Sequence, residues 1–245
     1  MKIVNCVQGS PSWLQERNAR VTASRVADAL GFLKRGDKQG AETAGRASYK
    51  TEIVSEILTG FAADHYVSPY MVRGTEQEPF ARAAYGVRFD VDVEQVGFVI
   101  HPTIDRAGCS PDGLLGSDGG VEFKNPKTER HLQYMLARVL PPEYEPQVMW
   151  NMACTERAWW DFVSFDSRMP LRHQLFRVRV ERNDKRIAEM EAGVVQFLAE
   201  VDEVIARLES LNPETFPERL QASLDETNVL DADIAWWYAN TPVAQ

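Results

Sequence analysis

The thirteen residues from Asp112 to Lys124, Asp-Gly-Leu-Leu-Gly-Ser-Asp-Gly-Gly-Val-Glu-Phe-Lys, constrain this chain more than any other stretch. Two short apolar runs flank a cluster of Gly, Ser and Asp, the pattern of strand, tight turn and strand, because Asp-Gly and Gly-Gly readily supply the positive φ that hairpins need. Residues two apart in a strand share a face, so Glu122 and Lys124 point the same way, and the returning strand can bring Asp112 beside them. Two carboxylates and an ammonium then share one small site. Close carboxylates repel unless a cation neutralises them. Hard oxygen donors with an open coordination sphere suit Mg²⁺, with Mn²⁺ as a substitute, rather than zinc. A lysine there can orient or help deprotonate an attacking water and offset the charge that builds on a phosphoryl group in its transition state.

Each half of this pattern is common by itself, since Pro-Asp-Gly marks turns and Glu-x-Lys marks exposed strands. With the acids ten residues apart and a hairpin between them, Asp112, Glu122 and Lys124 fit the PD-(D/E)-x-K nuclease motif in its expected context. The surrounding chain reads as α/β. Ser12 with Gln15 resembles a capping box for a short helix carrying Trp13 and Arg17, and a second helix begins near Thr22 or Ser24 and runs to Leu30. Phe32 to Ala44 reads as a mobile loop. Tyr49, Ile53, Ile57 and Leu58 mark a helix that Gly60 ends, and a further helix from Ser68-Pro69 to Gly86 carries Glu76 and Glu78. Val87, Phe89, Val91 and Val93 alternate with polar residues, as do Val96, Phe98 and Ile100, which predicts strands. After the hairpin come helices near Glu129 to Leu140 and Glu143 to Thr155, strands at Trp159 to Phe165 and Leu175 to Val180, and a long helix from Ile187 to Leu211. The expected fold class is α/β (mixed α+β), with a restriction-endonuclease-like core in which helices flank a central mixed sheet. The expected organisation is a nuclease domain over 1–211 and a C-terminal extension over 212–245 that ends in Trp236-Trp237-Tyr238 and packs on the body, a neighbouring subunit or a partner.

Charge argues in two directions. A net charge of −9 on 245 residues is unusual for a DNA enzyme, since duplex binding is normally led by basic surface. Positive residues nevertheless gather at Lys34/Arg35/Lys38, Arg46/Lys50, Lys124/Lys127/Arg130 and Arg168/Arg172/Arg177/Arg179/Arg182, so a basic channel inside an acidic exterior reconciles the two. Cys6, Cys109 and Cys154 lack the spacing of a disulfide framework or of a zinc or iron-sulfur site. No stretch approaches the roughly 18 apolar residues of a membrane span, and the N-terminus has no leader pattern, so a cytoplasmic protein is expected.

The motifs, in order, are Trp13-Leu-Gln-Glu-Arg17, Val21-Thr-Ala-Ser24, Gly74-Thr-Glu-Gln-Glu78-Pro-Phe-Ala, Cys109-Ser-Pro-Asp112-Gly, Glu122-Phe-Lys124-Asn-Pro126 and Tyr144-Glu-Pro-Gln147-Val. In that order and spacing the chain resembles the phage lambda exonuclease and YqaJ-type viral recombinase family from Trp13 to about Leu211. The resemblance implies two Mg²⁺ ions per site, with Asp112 bridging them, Glu122 and the carbonyl of Phe123 completing one site, and Glu78 reaching the other. It implies that Lys124 activates the water and that Gln147 helps to position the water or the scissile phosphate. Arg17, Ser24 and Ser110 fall where the family holds the terminal 5′-phosphate, a role that suits a guanidinium and hydroxyls. Glu76 competes with Glu78, which is preferred because it stands four residues after the glycine. His65 and His101 could imitate the histidine ligand of RecB-like nucleases, but neither sits in a convincing motif.

The activity implied is a 5′ to 3′ exonuclease that degrades one strand of linear double-stranded DNA from phosphorylated ends and leaves 3′ overhangs for recombination. A ring-shaped homotrimer and a single-strand annealing protein are the implied partners. Two rivals stay open. One is a PD-(D/E)-x-K endonuclease or Cas4/RecB-like nuclease, the iron-sulfur type being disfavoured by the missing cysteine cluster. The other is a noncatalytic DNA-end-binding recombination protein.

Overall fold

The computed structural model describes residues 1–33, 35–63 and 68–211. Lys34, His65 and the segment 212–245 with its Trp236-Trp237-Tyr238 motif lie outside the described residues. The chain divides into a unit Met1–Glu203 and a unit Val204–Gln245, the latter described only over 204–211, the end of the last helix. Among the described residues no helix is long and apolar enough to cross a membrane.

Two four-stranded sheets form the core. The first has the order β1 (Lys2–Val4), β3 (Phe98–Ile100), β4 (Ala107–Cys109), β2 (Val21–Thr22), in which only the last pair is parallel. The second has the order β5 (Gly113–Leu115), β6 (Gly119–Lys124), β7 (Trp159–Phe165), β8 (Leu175–Glu181), with β6 and β7 parallel and the other pairs antiparallel. The expected single central sheet is therefore two mixed sheets. The chain passes from one to the other between Cys109 and Gly113, through Ser110, Pro111 and Asp112. Pro111 has no N–H to offer a sheet ladder, which favours a break there. The first acid of the motif thus stands at the junction of the two sheets.

Strand alternation divides β6 by chemistry. Val121 and Phe123 pack into a cluster with Ala81, Tyr85, Val163, Phe165 and Leu175, while Glu122 and Lys124 face the other way. The hairpin leading into β6 forms as expected, with Gly116 at φ 52° in its turn. The glycines Gly119 and Gly120 serve a different purpose from the expected one. A Cβ on Gly119 would lie 2.0 Å from the Trp159 ring, and one on Gly120 would lie 2.2 Å from Trp160, so both are needed for close approach to β7 rather than for positive φ.

The helices are α1 (Pro11–Arg17), α2 (Val26–Ala29), α3 (Ala44–Thr59), α4 (Pro69–Phe89), α5 (Thr128–Ala137), α6 (Glu145–Thr155) and α7 (Asp184–Leu211). Ser10, not Ser12, caps α1, its hydroxyl accepting from the Trp13 N–H, with Pro11 at the first helical position. Gly60 ends α3 in the left-handed conformation. The strand expected over Val87 to Val93 does not form. Instead α4 runs through Gly86 to Phe89 and stops at Asp90, which takes φ 52°, with the Val91 N–H returning to the Gly86 carbonyl. Tyr85 and Phe89 lie one helical turn apart with tilted rings 4.8 Å between centroids, so helical spacing is what packs the half-buried Phe89 on the core, while Val87 is exposed. Along α7, Ile187, Met190, Val194, Phe197 and Val201 are buried on the expected face.

Candidate active site

Three elements bring the motif acids together. Asp112 sits just before β5, and its carboxylate accepts a 2.6 Å hydrogen bond from the backbone N–H of Phe123 on β6. Glu122, almost completely buried, accepts from Lys124 Nζ at 2.6 Å and from Gln147 Nε2 at 2.6 Å on one oxygen. Gln147 belongs to α6, which is buried from Val148 to Thr155 against the sheets and so fixes what its first turn presents. Glu78 comes from α4 and is ion-paired with Arg82 one turn further on.

Glu78, Asp112, Phe123 and Lys124 line one cavity of about 450 Å³, together with Gly74, Thr75, Asn125, Pro126 and Tyr144. Glu78 faces this space and Glu76 is exposed, so the helix separates the two competing acids. Asn125 ties the end of β6 to α4 by donating to the Gly74 carbonyl at 3.0 Å. The Tyr144 ring lies 5.3 Å from the Lys124 ammonium and stacks on Phe162.

The electrostatics follow from this crowding. Burial, followed by repulsion from Glu122 and Glu78, pushes the Asp112 carboxyl well above the usual carboxylate range, against the pull of Lys124. Glu78 is also raised, chiefly by burial and then by Glu122, with Arg82 and Lys124 opposing. Burial works against the charge on Lys124, but Glu122 and Asp112 outweigh it and hold the ammonium above its ordinary value. Among the described residues no three His, Cys, Asp or Glu side chains are grouped closely enough to hold a metal ion, and Glu78 is paired with Arg82. The donor set nevertheless suits a hard cation, since an acid held up by burial and neighbouring acids is the group that a bound divalent ion would relieve.

A second cavity of about 590 Å³ opens beside α1, lined by Trp13, Arg17, Thr22, Ser24, Arg25, Tyr49, Glu52 and Glu56 among others. Arg17 lies half-buried at 4.3 Å over the Trp13 ring and donates to Ser110 Oγ at 3.1 Å. Trp13 Nε1 donates to the same hydroxyl at 2.9 Å. Among the described residues no carboxylate stands within ion-pair distance of Arg17, and burial lowers its pKa. Arg25, by contrast, is paired with both Asp28 and Glu52. Ser24 is exposed on the cavity wall, 3.4 Å from the Thr22 hydroxyl.

Other positions fall elsewhere. Arg46, one of the clustered basic residues, is buried between Phe32 and Phe197 and pairs with Glu200, as does Lys50. His101 is buried, stacked at 5.0 Å on Trp150 and paired with Glu191. Arg177 and Arg179 are both committed to the buried Asp161. Sequence reasoning missed Asn151, whose amide donates to the second oxygen of Glu122 at 2.9 Å. Its signal was the four-residue spacing from Gln147 on one helix.

This fold is that of a PD-(D/E)-x-K nuclease. The YqaJ-like viral recombinase domain matches residues 12–158, and the chain belongs to that family. The chain is 40% identical to LHK-Exo, an alkaline exonuclease from Laribacter hongkongensis. The crystal structure of LHK-Exo in complex with dAMP matches 83% of this chain and 98% of that chain with a TM-score of 0.76, and a second LHK-Exo crystal structure gives 0.74. A phage-related exonuclease from Haemophilus somnus 129PT shares the fold at 16% identity and a TM-score of 0.58, over 77% of this chain and 96% of its own. The uncharacterized protein ExoD of Escherichia coli (strain K12) is 35% identical over 65 residues, 26% of this chain and 74% of that protein. With exonucleases as its relatives, the protein is a nuclease of the exonuclease type.

Proposed function

We propose that the protein is a Mg²⁺-dependent 5′ to 3′ exonuclease that degrades one strand of linear double-stranded DNA from 5′-phosphorylated ends, leaving 3′ overhangs for recombination by strand annealing. One observation carries this reading. Ser110 accepts from Arg17 and Trp13 in one cavity, and two residues later Asp112 stands in the other. An anion held by Arg17 and Ser110 would therefore be tied through a two-residue link to the carboxylates that cut.

Glu78, Asp112, Glu122 and the carbonyl of Phe123 are the groups that would hold two metal ions. When bound, the ions would polarise the scissile phosphate and make the attacking water more acidic. Lys124 and Gln147, both already on Glu122, are placed to orient that water, and the ammonium would offset charge on the phosphoryl oxygens. Arg17, Ser24 and Ser110 would hold the terminal phosphate, with the guanidinium supplying the counter-charge that it otherwise lacks. Since Ser110 Oγ already accepts two hydrogen bonds, its own O–H is free to donate to a phosphate oxygen. The dAMP bound to LHK-Exo is consistent with release of mononucleotides. A homotrimeric ring enclosing the duplex in the cytoplasm, and an annealing protein to coat the exposed strand, complete the proposal.

The test compares linear duplexes bearing 5′-phosphate or 5′-hydroxyl with covalently closed circles, in Mg²⁺ and after chelation, using wild type and Asp112→Ala. Nucleotide release is expected only from linear DNA, only with metal, and not from the variant. Circles cut as fast as linear DNA would identify an endonuclease instead.

A further inference from the structure

Glu122 is a buried carboxylate beside the cavity, so its oxygens need donors. One oxygen takes Lys124 and Gln147, and the other takes Asn151. Asn151 is itself completely buried on α6, among Val148, Met149, Trp150 and Met152. Its amide carbonyl finds no donor among the described residues. Half of a buried amide is therefore left unpaired, which lowers stability relative to an apolar residue of the same size. The only described side-chain partner of this amide is Glu122.

We infer that Asn151 is a positioning residue that fixes the plane of the Glu122 carboxylate, so that Glu122 meets a divalent cation with one set orientation. The inference rests on the metal-dependent reading above. The two amides work from one helix: Gln147 and Asn151 lie one turn apart and hold opposite oxygens of the same acid, like the two points of a clamp. Without Asn151 the carboxylate would pivot about its bond to Lys124 and Gln147, and metal affinity would fall although no ligand had changed. Partners behind a metal ligand typically contribute about ten- to a hundredfold in affinity or activity.

The test measures Mn²⁺ binding to the DNA-free full-length protein by titration calorimetry, alongside nucleotide release. Asn151→Leu is expected to weaken Mn²⁺ binding by about ten- to a hundredfold. Made in a Glu122→Gln background, the same substitution should change binding no further, because the group it orients has lost its charge. A merely structural role would instead give equal losses in both backgrounds, and that result, or wild-type Mn²⁺ affinity in Asn151→Leu, overturns the inference. Asn151→Ala, which introduces no new bulk, is read in the same way if the leucine variant fails to fold. Asp112→Asn runs in parallel. Wild-type Mn²⁺ binding in Asp112→Asn would defeat the metal-dependent reading itself, whereas loss there with no effect at Asn151 defeats only this inference.

Discussion

The two cavities either side of Ser110 handle charge in opposite ways. Around Asp112 the charges answer one another: Glu122 is held by Lys124, Glu78 by Arg82, and burial, followed by the neighbouring acids, holds the Asp112 carboxyl well above its usual range. Around Arg17 a half-buried guanidinium has a hydroxyl and an indole face but, among the described residues, no carboxylate at ion-pair distance, although Glu52 and Glu56 line the same cavity. One cavity carries an excess of buried negative charge, and the other holds a guanidinium with no ion-pair partner among the described residues. A nuclease that is loaded with metal and finds a chain end would use both, and Ser110 and Asp112, two residues apart, link them.

Substitutions in the two cavities should therefore fail differently. The largest effect is expected from Asp112→Asn, which removes charge from the acid at the sheet junction. Nucleotide release should fall about a thousandfold or more, while binding of a 5′-phosphorylated duplex in Ca²⁺ changes little. Loss of both together would mean that the cavities are not separable. Lys124→Met should lower kcat by about a hundred- to a thousandfold and leave KM nearly unchanged, as measured by steady-state kinetics. Ser110→Ala, on the link, should cost about fivefold in kcat/KM on phosphorylated ends, the size of one hydrogen bond.

A separate expected effect concerns stability. Tyr49 lines the Arg17 cavity, donates to the Arg20 carbonyl, and is pushed up to about 12 chiefly by burial. Its folded pKa is above its unfolded value near 10, so the stability it contributes is complete below pH 10 and is lost as pH rises from 10 towards 12. Denaturant melts of wild type and Tyr49→Phe at pH 9 and pH 11.5 should diverge, with wild type losing about 2 kcal/mol more than the variant.

What could be read in advance followed from local pattern. The hairpin and the two faces of β6 are consequences of residue spacing alone, and so Glu122 and Lys124 were placed without any knowledge of tertiary contacts. Glu78 was preferred over Glu76 on its place four residues after Gly74 in the family resemblance, and the helix turns Glu78 toward the cavity and leaves Glu76 exposed. Val87 to Val93 misled because alternating apolar residues at a helix end look like a strand, and the choice was made by Phe89 packing one helical turn from Tyr85 against the core. Arg46 could be read only as part of a basic cluster, since its burial depends on Phe197 and Glu200, about 150 residues away. Asn151 was hidden because its partner lies on a strand reached only when α6 packs. The break into two sheets at Pro111 was visible as a proline but not as a topology.

The central claim is that the unpaired Arg17 reads the 5′-phosphate for the site built on Asp112. The most direct measurement is the ratio of initial nucleotide-release rates on 5′-phosphorylated and 5′-hydroxyl linear duplexes, in wild type and in Arg17→Ala. A preference of about ten- to a hundredfold for phosphate in wild type, collapsing to about one in the variant, is the predicted result. A wild type indifferent to the phosphate, or a variant that keeps the full preference, would contradict it.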